Sequence, residues 1–186
     1  MGFRWPMRRT TDLRQGRFSR PGTRYFVTFC TVPRASILAT GEARASAWAA
    51  WRELVDAGDV RLLAATLMPD HVHMLFELGA RLSLDRVVAK WKARVRPVLG
   101  GGSWQANYFE HRLRPEESAE RYAWYIFMNP YRAGLVTSDE VWRGWWPEPA
   151  VAWELLAAAR PGPCPQPEWL ADFDGVTRGL TTGESA

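Results

Sequence analysis

The chain has 186 residues, 47% hydrophobic and 24% charged, with a formal net charge of +4, which suits one ordinary core with an extension to spare. No apolar run approaches the roughly 20 residues of a membrane span, and Met1 to Thr10 lacks the apolar stretch of a secretory signal. Cys30 and Cys164 are the only cysteines and form no paired spacing, so a reducing, cytoplasmic setting is expected.

The charge is unevenly spread. Residues 1–136 carry 21 Lys and Arg against 12 Asp and Glu, whereas residues 137–186 carry 3 against 8. A basic body points to a polyanionic partner. Lys90 and Lys92 are the only lysines, and arginine suits bidentate phosphate contacts, although a G- and C-rich genome would also favour it.

Three parts are expected: a basic arm over residues 1–24, a catalytic domain over 25–136, and a Trp/Pro-rich, acidic extension over 137–186. The arm contains Arg4, Arg8, Arg9, Arg14, Arg17, Arg20 and Arg24 against Asp12 alone. Tyr25 to Thr31 is aromatic and β-branched and reads as the first strand. Glu42 to Ala57 follows as an amphipathic helix ending at Gly58, with Trp48, Trp51, Leu54 and Val55 as its core stripe.

Val60 to Leu67 and His71 to Leu78 read as two strands of a hairpin turned by Pro69-Asp70. Ser83 is a plausible cap for a second helix running to about Val98, with Arg86, Lys90, Lys92, Arg94 and Arg96 along it. Trp104 to Leu113 suggests a fourth strand. Pro115 to Met128 suggests a third helix, with Glu116, Glu117 and Glu120 favouring its N-terminal dipole and Pro130 closing it. A short helix over Val151 to Ala159 is expected beyond. The order strand, helix, strand, strand, helix, strand is the split βαβ pattern: an α+β, ferredoxin-like antiparallel sheet with helices on one face and a C-terminal extension.

Side chains at i and i+2 leave the same face of a strand, so His71 and His73 would share one small volume. That is how a strand offers two imidazoles to a metal ion, although such pairs also occur as structural histidines. Tyr125 and Asn129, at i and i+4, share a face of the third helix. An amide oxygen suits a hard divalent ion, and imidazole widens the choice toward Mn²⁺. A phenol held nearby could attack a phosphodiester, and on spacing alone Tyr122 competes with Tyr125. His111 is the third histidine, with a structural or phosphate-contacting role. Arg112, Arg114 and Arg132 are candidate phosphate contacts, as are Arg17, Arg20, Arg24, Arg86, Lys90, Lys92 and Arg94.

Three stretches, Met-Pro-Asp-His-Val-His-Met-Leu at 68–75, Trp-Gln-Ala-Asn-Tyr-Phe-Glu-His-Arg-Leu-Arg at 104–114 and Tyr-Ile-Phe-Met-Asn-Pro-Tyr-Arg-Ala-Gly-Leu-Val at 125–136, resemble the REP-associated tyrosine transposases. These are a branch of the IS200-like, HUH single-tyrosine transposases. The resemblance spans about residues 17–136, with Asp70 where relatives often have Asn, and matches only loosely beyond Val136. It implies His71, His73 and Asn129 as ligands of Mg²⁺ or Mn²⁺ and Tyr125, rather than Tyr122, as the nucleophile. It further implies single-stranded DNA bearing a palindromic hairpin as substrate, a 5′-phosphotyrosine intermediate, no small-molecule cofactor, a monomer or homodimer, and a nucleoid-associated cytoplasmic protein. A domesticated hairpin-DNA binder with little catalysis is the competing expectation, and a hydrolase of small phosphoesters is disfavoured by the basic arm.

Overall fold

The structure is a computed structural model, and it describes residues 19–137 and 140–147. The expected helix over Val151 to Ala159, Arg17 and most of the two terminal segments lie outside the described residues. The elements are β1 (Arg24–Val32), α1 (Gly41–Asp56), β2 (Val60–Leu67), β3 (His71–Leu78), α2 (Leu84–Val95), β4 (Ser103–Trp104), β5 (Phe109–Arg112), α3 (Ala119–Arg132) and β6 (Trp145–Pro147). The antiparallel sheet runs β4-β1-β3-β2-β6, with β5 also paired to β1. With α1 crossing from β1 to β2 and α2 from β3 to β4, this is the ferredoxin-like arrangement.

Alternation along the strands divides the sheet into two faces. Tyr25, Val27 and Phe29 of β1 and Val72, Met74 and Phe76 of β3 are buried beneath α1 and α2. Trp51 of α1 lies within this core. Its ring centroid is 5.6 Å from that of Trp91 in α2, and its indole N–H reaches Met74 Sδ at 3.1 Å. Phe26 of β1, Leu63 and Ala64 of β2 and Leu75 of β3 face a smaller core covered by Ala119, Tyr122, Ala123 and Ile126 of α3. The two crossover helices thus occupy one face, and the third helix covers the other.

The second helix ends at Val95 rather than about Val98, with a 3-10 turn over Arg96–Leu99, and two further elements depart more from the sequence expectation. The third helix starts at Ala119 and continues through Pro130 to Arg132. A proline in a last turn removes a single helical hydrogen bond, and the chain turns only after it, at Gly134, where φ is +65°. The expected fourth strand is two short ones, because residues 105–108 leave the ladder and Lys92 Nζ donates to the carbonyls of Gln105 and Asn107, at 2.9 and 3.4 Å.

The segment after Val136, irregular by sequence, contributes β6, which pairs with the far edge of β2. Gly144 makes this approach possible: a Cβ there would lie 2.5 Å from the Leu67 carbonyl oxygen. Trp146 then packs on Trp48, with ring centroids 4.6 Å apart. Covering an edge in this way blocks pairing with other chains.

Trp51 joins both crossover helices to the sheet and is 1% exposed. Replacing it with alanine should destabilise the fold by about 3–5 kcal/mol, read as a lower urea midpoint at an unchanged slope.

Candidate nucleic-acid-processing site

The antiparallel register sets Thr28 of β1 opposite His73 and Cys30 opposite His71, with Thr66 of β2 also opposite His73. Each imidazole is oriented through its Nδ1. Thr28 Oγ1 lies 2.7 Å from His73 Nδ1, and Asp70 Oδ1 lies 2.5 Å from His71 Nδ1. Ionised Asp70 can only accept, so His71 carries its proton on Nδ1. The two Nε2 atoms converge at 3.1 Å.

Asp70 is held in turn by Arg34, whose Nε donates to Oδ2 at 2.8 Å. The hydrogen bond from His71, helped by Arg34 and opposed by partial burial, keeps the Asp70 carboxyl well below the usual carboxylate range. His73 is 3% exposed. Burial, reinforced by the neighbouring His71, pushes its pKa well below that of a free imidazole, so it is neutral at ordinary pH.

The third helix brings its own groups to this pair. The Tyr125 ring meets His73 edge-on, with centroids 5.5 Å apart at 81°. Phe26 stacks on His73 at 5.7 Å and 12°, and meets Tyr125 edge-on at 5.8 Å. One turn on, Asn129 donates from Nδ2 to the Tyr125 carbonyl at 2.9 Å, which directs the amide oxygen away from the helix, and its side chain lies in hydrogen-bonding reach of His73. The guanidinium of Arg132 is 6.0 Å from the Tyr125 ring centroid.

These residues fit a divalent ion. The two imidazoles each have Nδ1 held and bring their Nε2 atoms together, which is the usual outer-shell pattern of histidine ligands. The Asn129 oxygen would be the third protein donor. Three protein donors would leave positions open to a substrate oxygen; among the described residues no group of three or more His, Cys, Asp or Glu that could hold a metal forms.

Tyr122 occupies a different setting. It is 6% exposed, and its hydroxyl donates to Glu117 Oε1 at 3.0 Å. Burial and the Glu117 charge raise its pKa further above the ordinary phenol value, which opposes formation of a phenolate. Glu117 also receives His111 Nε2 at 2.7 Å and the Arg114 backbone N–H at 2.6 Å, and His111 stacks on Tyr122 at 5.4 Å. Glu117 and Glu116 precede α3, so Glu117 acts as the hub of a side-chain network outside the helix.

Residues 20–99 match the family model described as transposase IS200 like. The fold is similar to that of a solved chain described as the REP-associated tyrosine transposase bound to a REP hairpin, with 22% identity and a TM-score of 0.57, over 69% of this chain and 79% of that one. A chain from Deinococcus radiodurans, described as a transposase candidate, shares 19% identity over 66% of this chain and 92% of its own, at a TM-score of 0.43. No curated protein matches.

Strand β3 and helix α3 thus bring His71, His73, Tyr125 and Asn129 together, with Arg132 beside them. Other basic positions lie elsewhere. On the α1/α2 side of the sheet, Lys90 binds Asp59 at 2.9 Å and Glu53 at 3.5 Å. Lys92 is held by the β4–β5 connection and lies 4.8 Å over the Phe29 ring. Arg94 reaches Glu53 at 3.3 Å, and Arg86 is exposed on the same helix. Arg20, Arg112 and Arg114 are exposed, and Arg24 stands 3.9 Å from Glu77. Thr28, Arg34, Asp70 and Glu117 were not singled out as site residues by sequence. Asp70 had a signal in being adjacent to His71, but the turn explained it equally well.

Glu117 accepts from three donors, and their hydrogen bonds outweigh its partial burial to hold its pKa below the ordinary glutamate value. Its stabilising contribution is therefore full above about pH 4.3, the unfolded value, and is lost as pH falls through the lower folded value. Glu117→Gln should cost about 1–3 kcal/mol at pH 7. The gap to wild type should narrow in denaturation series taken progressively below pH 4.

Proposed function

We propose that the protein is a metal-dependent single-stranded DNA strand transferase that acts on hairpin-bearing, REP-like DNA, with Tyr125 as nucleophile. The observation that carries this reading is the convergence of the His71 and His73 Nε2 atoms at 3.1 Å with the Tyr125 ring 5.5 Å away. An imidazole pair alone suits many roles. Joined to a phenol and an amide from an otherwise distant helix, it has the parts of a phosphodiester transfer site. The IS200-like match over residues 20–99 supports the same class, and the similarly folded chain is bound to a REP hairpin.

A divalent ion held by His71, His73 and Asn129 would supply charge to polarise and align a phosphate. The chain's residues do the rest. Asp70 holds His71 in the tautomer that presents Nε2, and Thr28, accepting from His73 Nδ1–H, would do the same for His73. Phe26 and the Asn129 amide fix the approach of the Tyr125 ring. Phenol has an ordinary pKa near 10, and the Arg132 guanidinium, 6.0 Å from the ring centroid, brings positive charge near the ring that must form a phenolate. Attack of Tyr125 Oη on phosphorus breaks the P–O3′ bond, leaving a 5′-phosphotyrosine and a free 3′-hydroxyl. The ester retains the energy of the broken linkage, so a second 3′-hydroxyl can reverse the step without a nucleotide cofactor.

Wild-type protein mixed with hairpin-bearing single-stranded DNA and Mn²⁺ or Mg²⁺ should give an SDS-resistant protein–DNA adduct. Tyr125→Phe should abolish it, and Tyr122→Phe should keep it. Equal adduct from wild type and Tyr125→Phe, or none from wild type on cognate DNA, would overturn the assignment, the latter favouring a DNA binder.

Thr28→Val removes the hydrogen-bond partner of His73 while keeping its shape. Mn²⁺ affinity, followed by electron paramagnetic resonance, should fall by roughly 10–100-fold. An unchanged affinity would show that the His73 tautomer is not set by Thr28.

A further inference from the structure

A depression of about 220 Å³ opens beside His71, between the β2–β3 turn, the segment that follows β1 and the C-terminal end of α3. Arg34, Ser36, His71 and the Asp70 carboxylate, which Arg34 already holds, give it polar walls, and Pro69, Ala133 and Leu135 give it apolar ones. Leu135 is 41% exposed, one of few large hydrophobic side chains left so open among the described residues. The volume is below the roughly 300–1,000 Å³ of sites that enclose a drug-sized ligand. One flat ring system with an attached anionic group matches both its size and its mixed lining.

The position of the depression relative to Tyr125 selects the ring. Tyr125, Asn129 and Ala133 follow one another at one-turn intervals on α3, so Ala133 lies ~12 Å along the axis from Tyr125. Tyr125 stands against His73, and the depression stands against His71. The imidazole edges lie between the two. In displacement at phosphorus the entering and leaving oxygens are roughly in line on opposite sides. A phosphate held at those edges would be attacked from the Tyr125 side, and its leaving oxygen would point toward the depression.

We propose that this depression is a subsite for the unpaired nucleotide 5′ to the scissile phosphate, the one that departs with the 3′-hydroxyl. The proposal rests on the strand-transfer reading above. In the step, the Tyr125 Oη–P bond forms and the P–O3′ bond breaks. The phenolic proton is lost to solvent, the departing O3′ takes a proton from solvent, and nothing is oxidised or reduced. Pro69 and Leu135 offer apolar contact to the base, and Ser36 a hydroxyl to its edge. Arg34 places only part of its five-donor guanidinium on Asp70 and is 60% exposed, so it can also contact that nucleotide's own 5′-phosphate. Retaining this nucleotide after cleavage keeps the 3′-hydroxyl beside the phosphotyrosine, ready for the reverse step.

The experiment combines base omission with Leu135→Ala, a half-exposed position with little effect on folding. Omitting the base 5′ of the cleaved phosphate should lower adduct formation roughly tenfold, the scale of one lost base contact. It should also erase the smaller loss caused by Leu135→Ala. Omission on the 3′ side should leave the Leu135→Ala effect intact. In a second, metal-free readout, 2-aminopurine at the 5′ position should change its fluorescence on binding the full-length Tyr125→Phe protein, and Leu135→Ala should diminish that change. An adduct that forms normally while Leu135→Ala acts equally with and without the 5′ base would overturn the subsite alone. Absence of any wild-type adduct on every hairpin substrate would overturn the strand-transfer reading and the subsite together.

Discussion

The register of β1 against β3 is the constraint on which the rest of the site depends. Thr28 faces His73 and Cys30 faces His71, which puts both imidazoles on the α3 side of the sheet and gives His73 its partner. A slip of one residue would turn every side chain of a strand to the opposite face, sending the histidines under α1 and α2. The groups that forbid the slip do not touch the imidazoles. They are Tyr25, Val27, Phe29, Val72, Met74 and Phe76, whose burial with Trp51 and Trp91 fixes which face is which. The large core thus positions the site from the far side of the sheet.

Against the second face, α3 is located by a smaller set of contacts in which Phe26 is central. Its ring meets His73, Tyr122, Tyr125 and Phe109 at centroid distances of 5.5–6.2 Å. The same side chain therefore sets the orientation of an imidazole on the sheet and of a phenol on the helix. The Glu117 network secures the start of the helix through Tyr122, and the Asn129 to Tyr125 hydrogen bond ties together two successive turns. Relative placement of strand and helix groups comes from packing, and the polar contacts refine it.

Local periodicity made the backbone of this arrangement legible in the sequence. The strands Val60–Leu67 and His71–Leu78 have the bounds read for the two arms of a hairpin, and α1 differs from its reading by one residue at each end. The i, i+2 rule paired His71 with His73, and the i, i+4 rule paired Tyr125 with Asn129 while leaving Tyr122 in competition; the structure brings the first four together. What escaped depends on partners remote in sequence. Lys90 and Lys92 look like a solvent-facing basic stripe until buried Asp59 and the carbonyls of Gln105 and Asn107 are placed beside them. Glu117 suits a helix N-terminus equally well, and only the approach of β5 reveals His111 as its partner. Arg34 lies 36 residues from Asp70, and β6 is too short for alternation to signal.

Protons and the proposed divalent ion would compete for the same lone pairs at the centre of the site, and the surrounding structure would bias that competition. Two protonated imidazoles with Nε2 atoms 3.1 Å apart would repel strongly where water is scarce. Burial of His73 disfavours its charged form, while the Asp70 carboxylate, itself held by Arg34, accepts the proton on His71 Nδ1 and leaves Nε2 as a donor atom. The pair is thereby kept in a form that offers two electron pairs to one point. A divalent ion meets that arrangement with a single centre of charge, whereas protons would have to bring two. The convergence of the two Nε2 atoms and the burial of His73, which together disfavour a second proton, are also the features on which the proposed metal site rests.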